Sequence, residues 1–183
     1  MNVIDSIGLR PLRLAYGLAL AIAAAVPAAA QPPMLAQPEI DLSEELECLA
    51  LTIYFEARGE PDEGKIAVGH VVMNRASHPL FPPDVCNVVR QGGIERHRCQ
   101  FSWWCDGRSD RPRDWAAWEE SKALAEEVFR QAAPDPTEGA LWYHADYVRP
   151  SWQDKLHPGP KIGRHIFYKA SDDTEDLVTT AAN

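Results

Sequence analysis

Residues 41–64, DLSEELECLALTIYFEARGEPDEG, carry the pattern from which the fold follows. Asp41 with Glu44 three residues on reads as a helix N-terminus closed by a capping box. Leu46, Leu49, Ala50, Ile53 and Ala57 then recur at helical spacing, which predicts a helix over 42–57 that Gly59 and Pro61 stop. At 100° per residue Glu56 falls about 20° from Leu49, at the margin of the buried stripe. Glu44, Glu45 and Glu47 instead cluster near the N-terminus, where negative charge suits the helix dipole. Of these four carboxylates only Glu56 is therefore expected to be partly desolvated. Removal from water disfavours the ionised form, so such a glutamic acid keeps a proton near neutral pH and can hand it to a leaving group. The competing account is an ordinary boundary glutamate paired with Arg58 or Arg75.

Pro61 suits the first turn of a second helix, expected to run from Gly64 to about Ala76. Ile66, Ala67, Val68, Val71, Val72 and Met73 surround its axis, so burial on most sides is expected. His70, Asn74 and Arg75 are its polar exceptions. His70 reads as a satisfied core or boundary histidine, whereas Asn74 or Arg75 is placed to orient Glu56 or a substrate hydroxyl. Asp114 caps a further helix to about Ala133, with Trp115, Trp118, Ala125, Val128, Phe129 and Ala132 as its core stripe; Pro134 and Pro136 end it. Two strand-like runs, 140–145 and 162–169, flank a loop over 150–160 and are able to pair as a hairpin. These elements predict an α+β fold, a mainly helical single domain with a small antiparallel sheet.

Residues 1–30 combine a weakly basic start at Arg10 and Arg13, an apolar run over 14–26, and Ala28-Ala29-Ala30 before Gln31. This is the pattern of a secretory signal peptide with an A-x-A cleavage site. Export to the periplasm or the medium is expected, with no stable membrane insertion after cleavage. Residues 31–40 read as a linker, 41–170 as the folded domain and 171–183 as an acidic solvated tail. The chain of 183 residues has a formal charge of −9, and loss of 1–30 makes it −10, so nucleic acid is not an expected partner.

All four cysteines, Cys48, Cys86, Cys99 and Cys105, lie in the exported part, and two disulfides are expected. Three pairings are possible; Cys99 with Cys105 is the most local and leaves Cys48 with Cys86. No C-x-x-C knuckle supports a zinc site through these thiols. The segment 78–114 is loop-rich, and within it CQFSWWCDG, residues 99–107, places three aromatic and several polar side chains around two cysteines. Aromatic faces beside amide and hydroxyl groups make a wall for a sugar ring, although Phe101, Trp103 and Trp104 equally suit a small stapled core.

The sequence also resembles a family. YFEARGEPDEG (54–64), Ala67-Val68 leading to VMNR (72–75), Phe81-Pro82, CQFS (99–102) with Asp106-Gly107, Tyr143-His144 with Trp152, and IGRHIFY (162–168) are similar to the successive motifs of the SleB/CwlJ-type cell wall hydrolases. The likeness covers about 45–169. It implies a peptidoglycan-cleaving domain of lysozyme-like and lytic-transglycosylase-like fold, with Glu56 as the catalytic acid at the β-1,4 bond between N-acetylmuramic acid and N-acetylglucosamine. Some members carry an added wall-binding domain. The length here leaves no room for one, and general wall remodelling is expected rather than a spore-specific substrate.

A glycoside hydrolase normally needs a second carboxylate, for which Glu60 and Glu63 are the candidates, though dipole compensation and surface charge account for both. A lytic transglycosylase needs only one, and that mechanism, giving 1,6-anhydro ends, is the expectation. Tyr54, Arg58, Asn74, Gln100, Phe101, Ser102, Tyr143, His144 and Trp152 are the candidate substrate-binding residues. The expected partner is the peptidoglycan glycan strand, met by a monomer with neither cofactor nor metal. The rivals are a simple muramidase, a zinc amidase using His144, Asp146, His157 and His165, and a sugar-binding module without turnover.

Overall fold

The computed structural model describes residues 41–171, which belong to one compact unit. The segments read as signal peptide and linker, and the tail from 172, lie outside the described residues. Among those described, no helix is long and apolar enough to cross a membrane.

The first helix, α1, spans Leu42–Ala57 as the spacing predicts. Asp41 accepts a hydrogen bond from the Ser43 N–H at 2.9 Å and another from its hydroxyl at 2.7 Å. The capping box is not reciprocal, because Glu44 instead pairs with Arg90 at 2.7 Å. Glu45 departs further from expectation. It is buried, and its carboxylate accepts from the Val85 and Cys86 N–H groups at the start of α3 (Val85–Val89). Two freed amide donors 40 residues away stabilise a charge that local spacing assigns to solvent.

The second helix, α2, spans Asp62–Ala76 with Pro61 as its N-cap, two residues earlier than predicted. Most of it is buried, as its apolar distribution requires. At Gly69 a Cβ would lie 3.1 Å from Ile53 of α1 and 3.4 Å from Val128, so the absent side chain lets three helices approach closely. His70 Nε2–H donates to the Ala133 carbonyl, 3.0 Å away, and is the satisfied core histidine expected. The loop-rich stretch holds α3 and a single turn, α4 (Ser102–Cys105).

Disulfides join Cys48 to Cys86 and Cys99 to Cys105, the local pairing and its complement. The last helix, α5 (Trp115–Phe129), is capped by Asp114 and ends four residues before the predicted boundary, with Gln131 in the left-handed region. Ala125 and Val128 are buried as predicted, and Trp118 and Phe129 are half-buried. Trp115 is 69% exposed, however, and Ala132 is exposed; Leu124 fills the core in their place.

The sheet has three strands in the order β1-β3-β2, where β1 is Trp142–Ala145, β2 His157–Ile162 and β3 His165–Lys169. The two predicted runs do pair antiparallel, Tyr143 opposite Phe167. The hairpin, though, is β2–β3, and β2 comes out of the expected loop 150–160. Pro158 and Pro160 concealed it. Prolines are tolerated in β2 because it is an edge strand, and its register slips between Pro158 and Lys161. The result is the mainly helical α+β domain with a small antiparallel sheet that the sequence predicts.

Candidate active site

Two apolar cores meet at the C-terminal end of α1. Leu49 and Ile53 belong to one, with Val72, Val88, Phe101 and Val128; Ala57 belongs to the other, with Val68, Val71 and Phe167. Glu56 stands between them, half-buried, one residue from the end of the helix. Tyr143 of β1 packs against both cores, and its hydroxyl donates to Glu56 Oε2 at 3.2 Å.

Behind this pair lies Arg75, 2% exposed, its guanidinium 5.3 Å from the Phe81 ring and 5.7 Å from that of Phe101. Arg75 Nε donates to the Leu141 carbonyl at 2.7 Å, while Nη1 is buried without a partner. The neighbouring Asn74 donates to Asp135 at 3.0 Å and to the Ala140 carbonyl at 3.1 Å. The end of α2 thus grips the chain just before β1. Since β1 starts at Trp142, this grip determines where Tyr143 meets Glu56.

The electrostatics of the three groups follow from burial. Desolvation raises the Glu56 pKa, against which the Tyr143 hydrogen bond and the Arg75 charge both act downward. Burial, and next the charge of Glu56, hold the Tyr143 phenol well above its ordinary value, so it remains a donor. Burial lowers Arg75 to about 10, still charged at neutral pH. Arg75 is too distant for an ion pair with Glu56 and acts through space. The carboxyl of Glu56 is therefore biased to hold its proton, yet its ionised form has a donor and a cation in reach. A group that must give up a proton and then take one back needs both properties.

The other candidate residues divide. Phe101 is buried beneath Arg75 and belongs to the same layer. Tyr54 is also buried, and its hydroxyl accepts from the Arg113 and Asp114 N–H groups, so it ties down the loop before α5. Arg58 is exposed with its guanidinium 5.1 Å from the Tyr54 ring. Gln100 is half-buried, and Ser102 is exposed on a separate recess with Arg96 and His97. Asn74 contacts the 135–140 loop rather than Glu56.

His144 and Trp152 do not join Tyr143. Successive strand residues face opposite ways, so His144 turns from Glu56 to bond Tyr168 at 2.9 Å, with Trp152 edge-on to it at 5.6 Å. Glu60, considered as a second carboxylate, accepts from the Arg164 N–H at 2.8 Å in the β2–β3 turn. Gly163 there has φ +56°, and a Cβ would overlap the Glu60 carboxylate. Glu63 is exposed in the first turn of α2. Among the described residues no group of three or more His, Cys, Asp or Glu is arranged to hold a metal ion.

Two residues were missed by sequence reasoning as site components in their own right. Sequence gives Arg75 only an orienting or pairing role, although an arginine on a helix buried all round is itself a signal. His165 reads in sequence only as a rival metal ligand, but its ring packs edge-on to Tyr143 at 5.1 Å. The i, i+2 spacing of His165 and Phe167 on a strand was the available clue, since it puts both on one face.

The family model for cell wall hydrolases matches residues 59–168. That match begins three residues after Glu56, so the case for this carboxyl rests on its geometry. The spore cortex-lytic enzyme of Bacillus subtilis (strain 168) is 31% identical over 128 residues, 68% of this chain and 37% of that protein. The enzyme of the same description from Oceanobacillus iheyensis is 32% identical over 128 residues, 68% of this chain and 41% of that protein. The chain thus spans about two fifths of the length of these curated relatives. The solved catalytic domain of the germination-specific lytic transglycosylase SleB from Bacillus anthracis superposes with a TM-score of 0.55 at 27% identity, covering 74% of this chain and all of that one.

Proposed function

Because this chain belongs to the cell wall hydrolase family, we propose that it cleaves the β-1,4 bond between N-acetylmuramic acid and N-acetylglucosamine in peptidoglycan as a lytic transglycosylase, outside the cytoplasmic membrane. The observation that carries the mechanism is the hydrogen bond from Tyr143 to a Glu56 carboxyl whose pKa burial raises. Glu56 gives its proton to the glycosidic oxygen as the bond from the muramic C1 to that oxygen breaks, and positive charge develops at C1 and the ring oxygen. The ionised Glu56 is held by the Tyr143 hydroxyl and the Arg75 charge. It then takes the proton of the muramic C6 hydroxyl as O6 closes on C1, which forms the 1,6-anhydro ring and restores the acid.

One carboxylate suffices for this cycle. The engagement of Glu60 in the β2–β3 turn and the exposure of Glu63 favour it over a two-carboxylate hydrolysis. The lytic transglycosylase activity of the Bacillus anthracis neighbour agrees. The test is mass spectrometry of fragments released from purified sacculi by the protein and by its Glu56→Gln variant. Fragments ending in 1,6-anhydro-muramic acid, absent with the variant, are expected. Reducing muramic ends would replace the transglycosylase with a hydrolase, and free stem peptides would discard the glycosidase altogether.

A further inference from the structure

Beside the last turn of α1 lies a recess of about 330 Å³ that the glycosidic chemistry does not use. Tyr54, Phe55 and Trp103 line it, the Phe55 and Trp103 rings stacked at 5.0 Å. Its charged lining is Arg58, Arg108, Arg111 and Arg113 against Asp106 and Asp110. Four guanidinium groups against two carboxylates is a positive site on a chain whose formal charge is −9. Among the described residues Arg58, Arg111 and Arg113 form no ion pair, and Arg108 reaches Asp106 only at 3.9 Å. Asp106 is occupied otherwise, accepting from the Arg108 N–H at 2.7 Å.

The arginines stand on an anchored loop. The Tyr54 hydroxyl holds the Arg113 and Asp114 N–H groups, Asp114 caps α5, and Pro112 restricts the backbone between Arg111 and Arg113. Guanidinium groups on such a support match planar carboxylates in bidentate fashion, and an aromatic wall suits the aliphatic part of the same ligand. Position narrows the ligand further. Phe55 and Arg58 lie about 100° and 160° around the α1 axis from Glu56, so the recess sits around the helix from the acid. In peptidoglycan the group that leaves the glycan sideways at muramic acid is the stem peptide, which carries free carboxylates. Four extended residues span about 13 Å, enough to reach from a sugar at Glu56 across one helix face.

We infer that this arginine-lined recess binds the carboxylates of the stem peptide and makes the protein favour peptide-bearing over peptide-free glycan, a specificity that rests on the proposed glycan cleavage. The test uses full-length Glu56→Gln protein, which is expected not to cut its ligand, and sacculi freed of covalently attached phosphate polymers. One half of the sacculi is stripped of stem peptides by an amidase, and co-sedimentation is measured on both. Stronger retention on peptide-bearing sacculi is expected. Adding Arg111→Gln and Arg113→Gln, both exposed side chains, should lower that retention roughly tenfold and leave retention on stripped glycan unchanged. The corresponding lysine pair, which keeps charge but not the planar fork, should restore part of it.

Equal retention on both materials would overturn the inference. So would an equal loss on both when the arginines are removed, or retention that needs the phosphate polymers. The readout is binding without turnover, so a wild-type protein that released no glycan fragments would refute the cleavage mechanism while leaving the retention result to stand or fall separately.

Discussion

Replacing Tyr143 by Phe removes one hydroxyl and keeps the ring that packs on Phe167 and His165. The lost hydrogen bond to Glu56 is 3.2 Å long, against about 2.5–2.7 Å for a tight O–H···O⁻ contact. The low end of the range for a bond to a charged group, about 1.5 kcal/mol, is therefore the appropriate figure. It acts on the carboxylate left after proton donation, so it belongs to the barrier and not to glycan binding. At 1.36 kcal/mol per decade, kcat should fall about tenfold with KM nearly unchanged. The pH profile gives a second, independent readout. Tyr143 favours the ionised form of Glu56, so without it the carboxyl stays protonated to higher pH, and the alkaline limb of kcat/KM should move upward. Initial rates of fragment release from sacculi, measured from pH 4 to 9 for both proteins, test this. Rates within twofold of wild type and an unmoved alkaline limb would refute the coupling of Tyr143 to Glu56.

Two further outcomes concern stability. Glu56 has a raised pKa in the folded state, so between the ordinary carboxyl pKa and the raised one the folded protein holds a proton that the unfolded chain has lost, and stability declines as pH rises through that window. Glu56→Gln should therefore raise the melting temperature at pH 8 and change it little at pH 4; an equal change at both would show that the carboxyl is not desolvated. The Cys48–Cys86 bridge closes a loop with a sequence separation of 38, for which the chain-entropy relation gives about 4 kcal/mol. The Cys48→Ala, Cys86→Ala double variant should melt roughly 10–15 °C lower by calorimetry, and a shift of under 3 °C would mean that the bridge constrains the unfolded chain little.

Local patterns were legible where the cause is local. The start of α1 followed from Asp41, its end from Gly59 and Pro61, and the burial of α2 from its all-round apolar distribution. Glu45 was misplaced because its partners, the Val85 and Cys86 amides, lie 40 residues away and no spacing rule reports them. Strand β2 was hidden because Pro158 and Pro160 argue against a strand unless one knows that it lies on the sheet edge, which is a property of the assembled sheet. His144 was grouped with Tyr143 because the two adjoin in sequence. The pleat separates them, and applying period two to the predicted run would have shown it. Tyr54 is a candidate through its place in the YFEARGEPDEG motif, and its hydroxyl and ring are both engaged within the fold.

The position of Glu56 at the end of its helix adds a physical consequence. The last carbonyls of an α-helix carry partial negative charge, and Glu56 is the penultimate residue of α1, so the dipole adds to desolvation in favouring the protonated carboxyl. A mid-helix glutamate would lack that contribution, and one in the following turn would be solvated. The geometry is held from two sides, since Leu49 and Ile53 anchor α1 in one core while Ala57 anchors its last turn in the other. The counterweight also comes from elsewhere in the fold: Arg75 stands on α2, and Tyr143 is placed by the grip of Asn74 and Arg75 on residues 135–141. The burial that raises the Glu56 pKa and the donor and cation that oppose it are thus set by different elements. Substitutions in the α2 grip should weaken the opposing pair alone and leave the carboxyl protonated to higher pH, which separates a carboxyl that is merely buried from one poised to cycle between donor and acceptor.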